Sequence, residues 1–330
     1  MIEGLSLVFR VLVFPGFTFL LFLTMFCDWV ERKVEARMQN RVGPKFTGTS
    51  GVLQPLADFI KLLTKEDIVP MDAKKTVFRF APILAFSVMM FAMCFLPVDG
   101  ESAILNSSFT GDLIFVMALV TVANFLLFLS GWASANPYGA IGAARVLVQF
   151  LGYDIPLFLL ALAPAFLAKS LTISTIASSQ YLPFVLLAPW AFVLFLITMQ
   201  AELEKDPFDI PHAESELVGG IETEYCGGKL AFLHLTRDVQ IVFGAALVVE
   251  LFLGGPYGPV FLGSPEFWYT LWFLLKLLVV VVALEYLTCL FARLRIDQVL
   301  KVNWKVLLPL SVLSLILTVA LATWVYPLVV

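Results

Sequence analysis

Long apolar runs separated by short polar segments dominate the hydropathy pattern of this chain. A helix that crosses a bilayer needs about 20 mostly apolar residues, and eight stretches meet this requirement. They predict spans at roughly 6–29, 78–97, 113–133, 144–168, 182–201, 238–254, 267–292 and 306–328. We therefore predict an all-α integral membrane protein, a single membrane domain over residues 1–330 with about eight transmembrane helices.

The polar segment between the first two runs contains a helix signal of its own. In VLQPLADFIKLLTKE, residues 52–66, apolar positions recur at helical spacing while Asp58, Lys61 and Lys65 fall on other faces. This pattern is typical of an amphipathic helix at the membrane interface or against the bundle. Pro55 suits its first turn.

Composition agrees with a membrane protein, and the positions of the basic residues predict its orientation. Charged residues make up 14% of the chain, against about 25% in soluble domains. The first run lacks a short apolar core with a cleavage site, which favours a retained span. Lys and Arg concentrate in the loop after the first span, at 30–77, and in the loop after the seventh span. Both loops are therefore predicted on the cytoplasmic side, together with the loop at 202–237. Both termini would then lie on the outer face.

Cysteine and histidine patterns give no indication of a metal site. The chain has four cysteines and two histidines, and no two cysteines have the spacing of an iron–sulfur, zinc or haem site. We therefore expect any redox centre to lie in another protein.

Several ionisable residues interrupt the predicted spans. Asp154 falls near the middle of the fourth, and its short side chain indicates either a polar pathway or a hydrogen bond to a neighbouring helix. Glu285 and Lys276 lie nine residues apart in the seventh, on opposite faces, and are not expected to pair. Arg10 and Lys276 are long enough to extend towards the membrane surface.

One segment, AELEKDPFDIPHAESELVGGIETEY at 201–225, holds eight of the chain's 25 acidic residues. Pro207 and Pro211 exclude a continuous helix through it. A helix that begins after Asp209 would place Asp209, His212 and Glu216 on one face. Crowded carboxyl groups repel one another, so some bind protons near neutral pH and a chain of them could pass protons. A solvated acidic loop would do none of this, and composition alone leaves both interpretations open.

Four blocks of sequence resemble one known family. They are WVERKVEARMQNRVGPKFTGTSGVLQPLADFIKLLTKE at 29–66, GAIGAARVLVQFLGYDI at 139–155, ELEKDPFDIPHAESELVGGIETEY at 202–225 and RLRIDQVLKVNWKVLLPL at 293–310. Together, and in this order, they resemble the H subunit (mitochondrial subunit 1) family of respiratory complex I. The resemblance implies a protein that joins a soluble redox arm to proton-translocating membrane subunits.

The resemblance also implies roles for individual carboxylates. A line of them would run from the loop into the membrane: Glu202, Asp209, Glu214, Glu216 and Glu224, then Asp154. Asp238 stands near the place of a further family glutamate, and we add Glu285 from its position in the seventh span. The junction with the soluble arm would contain Glu31, Arg32, Arg41 and Asp206.

Some positions depart from the family pattern. Quinone-using members usually show an arginine before PFD, as in NR-PFD, where this chain reads Glu204-Lys205-Asp206. The fourth-span glutamate after tyrosine is Asp154, and the usual YPRFR before the last loop reads FARLR. These departures resemble the branch of membrane-bound hydrogenases and ferredoxin-oxidising complexes, which lack a quinone.

Our leading hypothesis is therefore a membrane anchor and proton-coupling subunit of a quinone-free energy-converting complex, not a catalyst by itself. Its partners would be a hydrogenase-like large subunit, an iron–sulfur small subunit, antiporter-like and small membrane subunits and the lipid bilayer, with no nucleic acid. Iron–sulfur clusters, and a NiFe centre in the hydrogenase case, would lie in the partners. The resemblance places the complex in a prokaryotic plasma membrane.

Two alternatives remain open. The chain could instead form the quinone chamber of an NADH- or ferredoxin-quinone oxidoreductase, which calls for an apolar chamber between the amphipathic helix and the acidic loop. It could also be a stand-alone transporter or a structural anchor, although the lack of internal repeats speaks against a transporter.

Overall fold

The computed structural model of the chain describes residues 9–100, 108–261 and 264–324, apart from the side chains of Glu214, Ser215 and Trp324. Within these residues the regular structure is helical throughout, as the sequence predicts. In chain order the α-helices are α1 (Phe17–Met38), α2 (Gln54–Leu63), α3 (Lys75–Met93), α4 (Asp112–Ala133), α5 (Pro137–Ala168), α6 (Ile173–Ser178), α7 (Phe184–Leu187), α8 (Pro189–Glu202), α9 (Glu214–Leu217), α10 (Gly227–Phe252), α11 (Pro265–Leu290), α12 (Ile296–Val302) and α13 (Leu308–Trp324).

Seven helices of the described chain are long and apolar enough to cross a membrane. The first runs from Phe9 to Met38 with a break at 13–16, where Pro15 and Gly16 stand, and the last joins α12 to α13 through a π-helical turn at Asn303–Leu307. An eighth apolar helix, α8, has only 14 residues. The predicted set of about eight membrane helices with an interfacial helix is therefore confirmed as a fold class.

Helix α10 is the centre of the bundle. It packs against α1, α2, α3, α5, α8 and α11. Its residues from 239 to 252 are all buried, and most of them are apolar. A helix that is apolar on every side is stable only when other helices surround it, so α10 is the element on which the surrounding helices are arranged.

The predicted span at 182–201 is interrupted. Ala188 has a non-helical backbone conformation and separates α7 from α8. The reason is Pro189, because the residue before a proline is disfavoured in the helical region. A hydropathy window averages across this break and reports one continuous helix.

The bounds of other spans also differ from the predicted ones. Helix α1 continues to Met38, α5 begins at Pro137 and α10 begins at Gly227, each beyond the predicted limit. The turns added to α1 and α10 carry charged residues, which hydropathy assigns to loops, whereas the turns added to α5 are uncharged. Residues 6–8 and 325–328 of the first and last predicted spans lie outside the described residues.

The amphipathic helix is present as predicted. Helix α2 spans Gln54–Leu63 with Pro55 in its first turn, and it packs against α1 and α10. The tip of the preceding loop is held to α1 by Trp29, whose indole nitrogen donates to the Ser50 carbonyl at 3.2 Å. The first polar segment is thus folded onto the bundle.

The acidic loop approaches α5 very closely near its end. A Cβ atom at Gly142 would lie 3.0 Å from the carbonyl carbon of Gly220 and from the Ile221 nitrogen. Ile221 is buried in this contact. The small size of glycine at 142 therefore lets the loop backbone pack directly on α5.

We expect Gly142→Val to weaken this docking. The added side chain would meet backbone rather than flexible side chains, and overpacking of this kind costs about 1–3 kcal/mol. The midpoint of thermal unfolding of the purified complex should fall. Ala140→Val, on an exposed position of the same helix, is the matched control, and equal midpoints for the two variants would contradict the packing argument.

Candidate functional site

The acidic loop is fixed to the bundle at its end by an aromatic anchor. Tyr225 stacks on Phe78 of α3 with ring centroids 4.1 Å apart and planes 7° from parallel. Its hydroxyl donates to the Ser130 carbonyl at 3.0 Å. Nearer the start of the loop, the Leu294 nitrogen donates to the Pro207 carbonyl at 3.0 Å. The loop is therefore a packed part of the structure and not a solvated acidic tail.

Lys205 lies at the centre of a buried ion triad. Its Nζ is 2.7 Å from Glu31 of α1 and 2.8 Å from Glu285 of α11. Burial lowers the pKa of Lys205, but the two carboxylates outweigh burial and hold that pKa above its usual value. Lys205 is therefore a permanent cation that ties the acidic loop to two membrane helices.

A polar cavity of about 640 Å³ opens beside this triad. Asp206, Asp209, Arg237, Asp238 and Arg293 contribute charges to its wall, together with His212 and the apolar Leu203 and Ile241. The cavity is thus lined by groups that bind water, protons or a polar ligand.

Arg293, from the loop before α12, interacts with two aspartates in this wall. It forms an ion pair with Asp209 and lies 3.8 Å from Asp206. Burial raises the pKa of Asp209 and outweighs the charges of His212 and Arg293, which lower it. Burial and the neighbouring Asp209 also raise the pKa of Asp206. Both carboxyl groups therefore take up protons more readily than solvated aspartates.

A hydrogen-bonded network leads from the loop into the bundle. Asn124 of α4 donates to Glu202 at 2.8 Å and to the Tyr153 hydroxyl at 3.2 Å, and it accepts from Gln240 at 2.8 Å. All four side chains are buried. The next residue of α5, Asp154, is half-buried and accepts from Thr121 at 3.3 Å. The network thus connects the edge of the acidic loop with the membrane-embedded part of α5.

The predicted carboxylates do not all join this arrangement. Glu216 is 56% exposed and pairs with Arg145 at 2.6 Å, and Glu224 is bonded to Asn136. Since α9 begins only at Glu214, Asp209, His212 and Glu216 do not share a helical face, and His212 instead bonds Glu204 at 2.7 Å. The side chain of Glu214 lies outside the described residues.

Of the residues predicted at the junction with the soluble arm, some belong to this arrangement and others do not. Glu31 and Asp206 belong to the triad and the cavity. Arg32 pairs with Asp28 at 2.8 Å and with Asp58 of α2 at 2.7 Å. Arg41 pairs with Glu35 at 2.9 Å near the surface. Arg32 therefore connects α1 with the amphipathic helix, whereas Arg41 stays at the surface.

Other intramembrane charges have partners that sequence did not indicate. Lys276 and Glu285 do not pair, as expected: Lys276 binds the carbonyls of the loop after α10. Arg10 forms an ion pair with Asp99 at 2.9 Å. Both cations thus find partners in loops at the ends of spans, and their extension towards the membrane surface stays a prediction.

Several residues of the site were missed by sequence reasoning. Asn124 and Gln240 are buried amides inside apolar helices, and such residues are a readable signal because each must find a partner. Lys205 was noted only as a departure from a motif. Glu222 was not singled out: burial raises its pKa, but Arg237 and two histidines outweigh burial and hold that pKa well below its usual range.

The described residues contain no group of three or more His, Cys, Asp or Glu side chains that could hold a metal ion. What the arrangement offers instead is a cation fixed between carboxylates, a polar cavity, and a buried network beyond it. Such groups can bind a polar molecule at the cavity and exchange protons with the network.

Comparison with known proteins places this arrangement in one family. A family model described as NADH dehydrogenase matches residues 11–319. The H subunit of NADH-quinone oxidoreductase from Dehalococcoides mccartyi strain CBDB1 is 38% identical over 304 residues, covering 92% of this chain and 83% of that protein. Its counterpart from Geobacillus kaustophilus is 39% identical over 300 residues, covering 90% and 88%. The H subunit from Thermomicrobium roseum is 38% identical over 323 residues, covering 92% of this chain and 93% of that protein.

The resemblance first seen in the four sequence blocks is thus matched over nearly the whole chain. Because the family model covers residues 11–319 and relatives above 30% identity cover most of both chains, the chain belongs to the H subunit (mitochondrial subunit 1) family of respiratory complex I.

Proposed function

We propose that this chain is the membrane subunit of a quinone-reducing complex, where it forms part of the quinone chamber and passes redox-linked proton movement into the membrane. The relatives compared above are named as subunits of NADH-quinone oxidoreductase. This favours the quinone-using alternative over the quinone-free, hydrogenase-like interpretation. The electron donor, NADH or ferredoxin, is set by partner subunits of the soluble arm.

The observation that carries this proposal is the position of Lys205. The quinone-free interpretation rested mainly on the absence of the usual arginine before PFD. Lys205 occupies that place, and its charge lies between Glu31 and Glu285 at 2.7 and 2.8 Å. The substitution therefore keeps the buried cation, and the motif no longer argues against a quinone.

The cavity fits the head group of a quinone better than its tail. Its volume of about 640 Å³ falls within the usual range of about 300–1,000 Å³ for small-molecule sites. A quinone accepts two electrons and two protons on reduction, and His212, Asp206 and Asp209 line the cavity with groups that exchange protons. Leu203 and Ile241 provide limited apolar wall.

The polar cavity does not lie beside the amphipathic helix, where the quinone-using alternative expects an apolar chamber. Helix α2 packs directly on α1 and α10, and the residues that line the cavity come from the acidic loop, α10, α11 and the loop before α12. The remaining walls of the chamber, and the route for an apolar tail, would then come from partner subunits and lipid.

The proposed coupling is electrostatic. Protonation of a reduced quinone would draw protons from the cavity wall and change the charge beside the Lys205 triad. Glu202, at the edge of the same loop, would respond through its bond to Asn124, and the change would reach Tyr153 and Asp154. The energies are adequate, since one pKa unit corresponds to about 1.4 kcal/mol.

The orientation of the chain follows from the distribution of Lys and Arg. We propose that the acidic loop and α2 face the cytoplasm and that both termini face the outside of a prokaryotic plasma membrane. Antiporter-like and small membrane subunits would then receive the protons from the Asp154 side of the bundle.

Quinone dependence of the intact complex is the direct test. The complex should be purified with its partners and supplied with its electron donor, with and without a short-chain quinone. We expect turnover only when quinone is present, and inhibition by a quinone-site inhibitor. Donor oxidation that continues without quinone and resists the inhibitor would support the hydrogenase-like alternative.

Replacement of Lys205 tests the triad. Lys205→Met would leave Glu31 and Glu285 buried without their cation, and breaking a buried pair costs about 3–5 kcal/mol. We expect less assembled complex on native gels and quinone reduction at least about tenfold lower per assembled complex, a loss of about 1.4 kcal/mol in transition-state stabilisation. Lys205→Arg should keep most of the activity. Lys65→Met, at an exposed site, is the control, and a Met variant at 205 as active as this control would contradict the proposal.

Replacement of Glu202 tests the inward network. In Glu202→Gln an amide oxygen can still accept from Asn124, but the side chain no longer carries a proton or a charge. Proton translocation by the reconstituted complex should fall about tenfold or more, equivalent to about 1.4 kcal/mol, while assembly is unchanged. Asp154→Asn should have the same effect, and Glu66→Gln, an exposed change, should have none. Normal pumping in both the Glu202 and the Asp154 variant would exclude this route.

A further inference from the structure

The end of α10 that lies far from the acidic loop contains a second ionisable site. Glu250 is fully buried, at 0% exposure. Neither of its carboxyl oxygens has a hydrogen-bond partner among the described residues. An ionised carboxylate without donors is strongly disfavoured in an apolar interior, so an acid in this place indicates a function or a bound ion.

The ammonium group that acts on Glu250 is held in a carbonyl cage. Lys276 of α11 donates to the carbonyls of Leu253, Gly255 and Tyr257, each at 2.8 Å. Gly255 has a positive φ of 51° and also contacts the acid, since a Cβ atom there would lie 2.4 Å from the Glu250 Oε2 atom. The acid and the caged cation therefore share one loop without forming a direct ion pair.

Few other polar groups face this acid. Within the part of the chain that the structure describes, Lys276 is the only charged side chain that acts on it, and the Tyr257 hydroxyl lies within its field. Behind Tyr257 stand Tyr269 and Asp99. On the other side, α6 has no titratable residue, and Gln180 donates to the Glu250 carbonyl at 3.0 Å, not to its carboxyl group.

The stretch of α10 between Gln240 and Glu250 separates this site from the acidic-loop network. Residues 241–249 are all apolar or glycine and all buried. Ten residues of helix span about 15 Å, too far for a proton to pass without water or polar groups. Along this helix the acid therefore has no polar connection to Glu202, which leaves the opposite face as the route to be tested.

We propose that Glu250 is a proton-binding site that exchanges with the aqueous phase on the face opposite the acidic loop. Two effects oppose each other there: burial without donors favours the protonated acid, while the caged Lys276 charge favours the carboxylate. Loss of the proton would draw Lys276 towards Glu250 and loosen the carbonyl cage at 253–257, so the site couples pH on that face to the end of α10. The site does not depend on which electron acceptor the complex uses.

Infrared difference spectroscopy on the intact complex in proteoliposomes tests this site. The pH is raised only in the phase that contacts the face opposite the acidic loop. We expect loss of a protonated-carboxyl C=O band that shifts in D₂O and is absent from Glu250→Gln. Glu266→Gln, an exposed acid at the start of α11, should keep the band. In Lys276→Met the band should persist to a pH about one unit higher or more, a tenfold change in proton concentration.

Three outcomes would overturn the proposal. The band could be the same in Glu250→Gln, it could follow the pH on the acidic-loop face, or added Na⁺ could remove it at constant pH, which would indicate a metal-cation site. If the Gln variant fails to assemble, the unmodified complex is treated with dicyclohexylcarbodiimide, which attaches to protonated carboxyl groups in apolar surroundings. Mass spectrometry should find an adduct on Glu250 that decreases as that pH rises, and its absence at the lowest pH would refute the site.

Quinone reduction is measured in the same preparations. Because the assay of Glu250 reports a proton and not turnover, a failure of this inference would leave the quinone assay unaffected. Conversely, loss of quinone dependence in the complex would leave the infrared result interpretable.

Discussion

The arrangement of this protein depends on one buried cation. Lys205 reaches from an irregular loop into the bundle and binds Glu31 of α1 and Glu285 of α11. Neither carboxylate has another basic partner of this kind within the described chain, and each would be costly to bury alone. Because the loop, the first helix and the seventh predicted span meet at this ammonium group, its position also fixes the wall of the adjoining cavity. The pair of carboxylates in turn keeps the lysine charged, so the three groups are stable only together.

The remaining buried polar groups of the bundle are also stable only together, although most of them are uncharged. Asn124 satisfies Glu202, Tyr153 and Gln240 with a single amide. Such networks are stable in apolar surroundings only when nearly every donor and acceptor is used. Gln240 belongs to α10, the helix on which the others pack, and this places the network at a point that several helices share. A change of charge at Glu202 therefore acts on residues of α4, α5 and α10 together.

Much of the fold was readable from sequence, because apolar runs of membrane length have one main structural solution. The amphipathic helix with Pro55 and the irregular course around Pro207 and Pro211 were also predicted from local chemistry. The division of the fifth apolar run at Pro189 and the charged extensions of α1 and α10 were missed, since hydropathy averages over a break and counts charge as loop. The site was only partly accessible: the carboxylates were visible as a cluster, but the partners of Lys205 come from positions 31 and 285, far away in sequence. Which acids share a partner is decided by packing, and so Glu216 proved exposed while Glu285 proved central.

The short α8 has a consequence for the membrane around the protein. Fourteen residues of helix extend about 21 Å, whereas the hydrocarbon core of a bilayer is about 30 Å thick. At this corner the remaining depth is crossed by the short α7 and by irregular backbone, which lipid tolerates only where protein or water satisfies its polar groups. The break at Ala188 lies at the opposite end of α8 from the loop that lines the polar cavity. A short helix of this kind is best matched by a thin bilayer, so the thickness of the surrounding membrane is expected to alter how lipid packs at this corner of the protein.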